Sequence, residues 1–170
     1  MIRKTTRFSN DQIFQIGRNH MLKGFTKPHQ KVINEDLRAL GVDRYDFWLP
    51  ETHTLPYIIQ PLETIRGIVY GHYKHNGTVP AEGRGALVVT DSRILLIDKK
   101  PLFLKCDELA HHIVSGVTFT RVGPATTVTL NTRAGNIQVR TLNKKCAATF
   151  VSAIETLCFK QQPASYSAAL

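Results

Sequence analysis

The chain has 170 residues, 42% hydrophobic and 21% charged, enough apolar content for one folded core with a small appendage and too much for a disordered polymer. Its 22 Lys and Arg against 13 Asp and Glu give a formal charge of +9, which invites a polyanionic partner. The excess reads as dispersed, however. Residues 1–61 hold nine basic and six acidic side chains, residues 62–160 thirteen and seven, with no run of more than two like charges, the pattern of a solvated surface. The opening MIRKTTRFSNDQ lacks the apolar stretch of a secretory signal, and no apolar segment is long enough to span a bilayer. A cytoplasmic location is expected, with peripheral contact at the inner membrane face as the one membrane role. Cys106, Cys146 and Cys158 are odd in number and lack CxxC spacing, so packed thiols are expected rather than a disulfide framework or a zinc site.

The first 46 residues carry helical periodicity. Ser9 and Gln12 make a capping box before Ile13, Phe14, Ile16 and Met21, and Gly24 offers a stop. A second helix has Thr26 as N-cap, Pro28 in its first turn, a stripe of Val32, Ile33, Leu37 and Leu40, and Gly41 at its end. Both apolar faces need cover, from each other, from the rest of the fold or from another subunit. Ile13, Phe14, Met21, Ile33, Leu37 and Leu40, with Trp48, are therefore the candidate interaction surface. Residues 47–61 contain Pro50, Pro56 and Pro61, which predicts an extended connector.

From residue 62 the period changes to that of strands. Thr64–Lys74 leads to the Asn76-Gly77 turn signal; Ala86–Thr90 and Arg93–Ile97 flank Asp91-Ser92; Leu102–Leu109 follows; and Val117 and Phe119, Val128 and Leu130, Ile137 and Val139 each alternate with polar residues. These make seven strands with no room for crossover helices, hence an antiparallel sheet that must fold over to hide its edges. Asn143 then caps a helix whose stripe of Ala147, Phe150, Val151, Ile154, Leu157 and Cys158 suits the open end of a barrel. Residues 161–170 are small and polar, and are expected to form a flexible tail.

Seven antiparallel strands followed by one amphipathic helix, with Thr90-Asp91-Ser92-Arg93 at the turn of the central hairpin, resemble the bacterial pleckstrin-homology-like (YokE-like) domains over residues 62–160. The resemblance implies an α+β fold, a seven-stranded barrel or sandwich capped by its C-terminal helix, here preceded by two short helices. It also implies a binding or docking role. The four motif residues have a structural reading of their own: Asp91 suits turn N–H groups, and Arg93 suits a carboxylate such as Asp91 or the facing backbone.

No catalytic constellation emerges. His72 and His75 fall on opposite faces of a strand, His111-His112 has the same difficulty, Cys106 stands alone, and Gly83-Arg84-Gly85 lacks the Lys-Ser/Thr and the helix of a phosphate loop. No cofactor or metal is expected. A protein partner or self-association fits the most residues. The alternative is an anionic lipid headgroup held by Lys74 and Arg84, with Lys99, Lys100 and Arg133 on neighbouring loops. The lipid binders that the chain resembles place an Arg where Ala86 stands, which weakens that reading. Nucleic acid is the poorest fit, for lack of an aromatic-basic stacking cluster; Tyr70, Tyr73 and Phe119 are expected in the barrel's packing.

Overall fold

The computed structural model describes residues 27–77 and 80–159. The helix expected at residues 9–24, with Ile13, Phe14 and Met21, lies outside them, as do Thr26 and the tail. Two helices, α1 (Lys27–Ala39) and α2 (Pro50–Ile58), precede seven strands: β1 (Ile65–Gly77), β2 (Ala81–Thr90), β3 (Ile94–Lys99), β4 (Leu104–Leu109), β5 (Val114–Val122), β6 (Ala125–Thr132) and β7 (Gly135–Thr141). Helix α3 (Lys144–Ile154) follows and runs into a π turn at Glu155–Phe159. All strand pairs are antiparallel, in the order β4-β3-β2-β1-β7-β6-β5. The sheet folds over without closing, leaving β4 and β5 at its two edges.

Two cores lie on opposite sides of one half of this sheet. Inside the fold, Val69, Tyr73, Leu87, Val89, Ile94 and Leu96 face Val128, Leu130, Ile137 and Val139, and Ala147, Phe150 and Ile154 of α3 close the end. The close approach of α3 requires Gly67, where a Cβ would sit 2.8 Å from the Phe150 Cα. Outside, Ile68, Tyr70, Ala86, Val88, Leu95 and Ile97 are covered by Ile33 and Leu37 of α1 and by Leu55 and Ile59 from α2 and its end. Strands β1–β3 are thus buried on both faces, as their near-continuous apolar runs demand, whereas β6 alternates buried and half-buried residues.

Three expectations are corrected here. The connector is helical, not extended: a 3-10 turn at Asp46–Trp48 leads into α2. Pro50 occupies the start of α2, where its missing N–H does no harm. Pro56 forfeits one bond, a cost of about 3 kcal/mol in a helix interior, which complete burial of Leu55 and Ile59 offsets. Ile33 and Leu37 are buried against the sheet and Leu40 is half-buried, so they form core rather than an available surface, while Val32 of the expected stripe is exposed. Phe119 is 43% exposed, because β4 does not reach across to cover the inner face of β5.

The end of α1 was legible. Gly41 adopts φ +87°, Gly41 N–H donates to Arg38 O and Val42 N–H to Leu37 O, the Schellman pattern. Asn143 caps α3 by accepting from Cys146 N–H at 3.1 Å, and its amide also reaches Gly41 O at 3.2 Å, tying the helical layer to the barrel. Since Phe150 is fully buried, Phe150→Ala should cost about 3–5 kcal/mol in chemical denaturation; an unchanged midpoint would mean that the barrel stands without α3.

Candidate functional site

Thr90-Asp91-Ser92-Arg93 forms a clamp rather than a binding loop. Thr90 Oγ1 accepts from Ser92 and Arg93 N–H and donates to Glu63 Oε1 at 2.7 Å. Asp91 Oδ1 accepts from Thr64 N–H, fixing the entry to β1. Arg93 pairs bidentately with Glu63, both bonds at 2.9 Å, reaches Glu108 on β4 at 2.9 Å and donates to Ile58 O at the end of α2. Arg93 therefore has the structural role expected, but with Glu63 and Glu108 as partners rather than Asp91.

Glu63 is almost wholly buried. Burial pushes its carboxyl up, yet hydrogen bonds from Arg93, Gln60 and Thr90 outweigh this and hold it below the ordinary glutamate value. Removing one partner strands the other charge, so Arg93→Ala should cost about 3–5 kcal/mol. The double variant Glu63→Met/Arg93→Met should recover part of that loss, as read by urea denaturation at pH 7.

Asp46 behaves in the opposite way. Burial, then the nearby Asp43, raise its carboxyl from 3.8 to about 6, against the hydrogen bond from Asn143. The folded state thus holds the proton more tightly than the unfolded one, and stability falls as pH rises through this interval and stays at the lower level above it. Asp46→Asn should be more stable than the wild type at pH 7, with the difference vanishing as pH approaches 4; a gap independent of pH would exclude this titration.

The candidate cations gather at the end of the sheet opposite α3, where Gly77 faces Gly135. Lys74 is paired with Glu82 at 3.7 Å, and Lys100 with Asp98 at 2.8 Å. Asp98 is buried and accepts from Tyr73 OH at 2.9 Å, while a Cβ at Gly83 would meet both groups; Gly83 makes room for this pair and cradles no phosphate. A shallow pocket of about 150 Å³ lies along the β1–β2 hairpin, lined by Lys74, His75, Asn76, Pro80, Ala81 and Glu82. Lys99 ends β3 and Arg133 lies in the turn between β6 and β7, so the five candidates do not converge on one point.

Burial pushes the thiols up, Cys106 and Cys158 to about 11 and Cys146 to about 12, which argues against thiolate chemistry near neutral pH. Among the described residues no group of His, Cys, Asp and Glu is arranged to hold a metal, and no helix is long and apolar enough to cross a membrane.

A family model described as "Bacterial PH domain" matches residues 59–156, the barrel together with the whole of α3. The chain belongs to this family. Among solved structures, the PH domain here is similar to the Vps36 N-terminal PH domain, with 17% identity, 59% of this chain and 82% of that chain covered, and a TM-score of 0.45. It is also similar to a DUF1696 family protein with a pleckstrin-homology domain from Shewanella loihica PV-4, with 13% identity, coverage of 63% and 89%, and a TM-score of 0.43. No curated protein matches.

Two surface features of this PH domain go beyond the sequence reading, which named Trp48 as a candidate contact but neither its pairing with Tyr45 nor the distribution of charge. Tyr45 and Trp48 are 64% and 79% exposed. They lie three residues apart across the 3-10 turn, whose backbone bond runs from Trp48 N–H to Tyr45 O, and that spacing puts them on one edge. Asp46 and Phe47 turn inward, Phe47 lying under Arg38 at 5.7 Å. The second feature is a charge asymmetry: no Asp or Glu occurs between Glu108 and Glu155, whereas Arg121, Arg133, Arg140, Lys144 and Lys145 do. Counting charge in halves of the chain concealed it.

Proposed function

We propose that this chain is a non-enzymatic PH-type docking module whose partner is a protein, engaged through the helical layer on the outer face of the barrel. The exposed Tyr45–Trp48 pair carries this reading. Large, rigid aromatics standing in water on a well-anchored turn are the residue types that dominate binding energy at protein interfaces. The turn is anchored by Asp46 and Thr52, whose hydroxyl lies 2.6 Å from Asp46 O and 2.7 Å from Tyr70 OH. Among the described residues nothing in the packing needs Trp48, which stands 79% exposed.

One observation favours a second reading, peripheral binding to anionic lipid. Leu102, 80% exposed, and Phe103 stand at the β3–β4 tip beside Lys99 and Lys100, an apolar wedge flanked by cations.

Trp48→Ala should leave the melting temperature unchanged and weaken partner capture or self-association at least about tenfold, the loss expected of an interface anchor. Sedimentation velocity of the purified chain and affinity capture under matched conditions read the two forms of association. Liposome co-sedimentation at about 0.15 M salt, lost in Leu102→Asp/Phe103→Asp but retained in Trp48→Ala, would replace the protein reading by the lipid one. A large drop in stability on Trp48→Ala would show the side chain to be structural.

A further inference from the structure

Strand register assembles a row of basic side chains that are remote in sequence. His72 of β1 lies opposite Arg84 of β2 on one side and opposite Arg140 of β7 on the other; all three are exposed. The row continues through Thr127 of β6, the register partner of Arg140, to Thr120 on the edge strand β5. The two guanidinium groups flank His72 and are not directly opposed to each other. Lys74, in the next row, is paired with Glu82. Among the described residues no carboxylate lies within ion-pair distance of Arg84 or Arg140, in contrast to the partners of Arg93, Lys100 and Lys105. Two exposed guanidinium groups thus flank a histidine without a counter-charge among the described residues, open to a ligand that carries carboxylates.

The shape of the row indicates the ligand. Five strands at about 4.8 Å spacing make a strip about 19 Å long, longer than one phosphate and comparable to an extended segment of about six residues. Guanidinium forks suit carboxylates, and the hydroxyls of Thr127 and Thr120 supply donors along the rest of the strip. No aromatic side chain stands in the row, so it lacks the stacking platform that single-stranded nucleic acid needs. The strip also crosses into the part of the chain that is free of Asp and Glu, which would leave an acidic ligand unopposed.

We propose that the Arg84–His72–Arg140 row is a docking strip for an extended acidic segment of a partner protein. The row shares no residue with the Tyr45–Trp48 pair, so either proposal can fail alone.

The probe is a fluorescein-labelled deca-glutamate peptide, followed by anisotropy with the full chain at about 0.15 M salt. Arg84→Gln/Arg140→Gln should weaken binding at least about tenfold. Lys31→Gln/Lys144→Gln, which removes the same charge elsewhere, should change it less than about twofold. Equal losses in the two variants would reduce the effect to net charge and overturn the proposal. Displacement of the peptide by millimolar inorganic phosphate, by a decathymidylate or by phosphatidylglycerol vesicles, at constant ionic strength, would overturn it in favour of a phosphate-bearing ligand.

Discussion

The rest of the structure depends on the burial of β1, β2 and β3 on both faces. One face is satisfied within the barrel. The other, with Ile68, Tyr70, Val88 and Ile97, has to be covered, and among the described residues the segment ahead of β1 supplies most of the cover, with Cys146 of α3 at its margin. That segment must also be held down, since two short helices would not persist alone. The Glu63–Arg93 clamp does this at the end of α2, and Asn143 does it at the end of α1. Helices, hairpin motif and C-terminal cap thus form one connected system, and the helical layer is part of the same packed unit as the family-matched barrel.

The same constraint places the exposed functional candidates. The outward positions of β1 run from Ile68 and Tyr70 to His72 and Lys74, and those of β2 run back from Val88 and Ala86 to Arg84 and Glu82. The change from apolar to charged side chains along each strand marks where the helical cover stops. Beyond it the wall of the barrel faces water, and there the basic row appears. The aromatic pair belongs to the cover itself, on its solvent side.

Much of the fold was legible. Alternation in β6 and β7, the Asn143 cap and the stripe of α3 are local signals, and the structure follows them, whereas Asn76 and Gly77 lie within β1 as register partners of Asn136 and Gly135 and β5 is mostly exposed. The unbroken runs Ala86–Thr90 and Ile94–Ile97 marked strands, but a strand run can be buried on one face or two, and only the fold decides. Helix α2 was not legible, since Pro50 and Pro56 argue locally against it and tertiary burial overrides them. Nor were the partners of Arg93: Glu63 lies thirty residues before it, and no periodicity links them. The Arg84–His72–Arg140 row is hidden for the same reason, being created by register between three strands.

The hairpin motif that carries the family resemblance is consumed by the fold. Each hydrogen-bonding group of Thr90, Asp91 and Arg93 described here is engaged in tethering β1, α2 and β4 to the β2–β3 turn, leaving little to offer a ligand. Membership of the family consequently predicts how the chain is held together and says little about what it holds. Selectivity has to come from residues that the clamp does not constrain. On the described surface these are an exposed aromatic pair and a row of exposed basic side chains without a carboxylate within ion-pair distance. Neither is used in the packing of the described residues, and that is why both proposals turn to them.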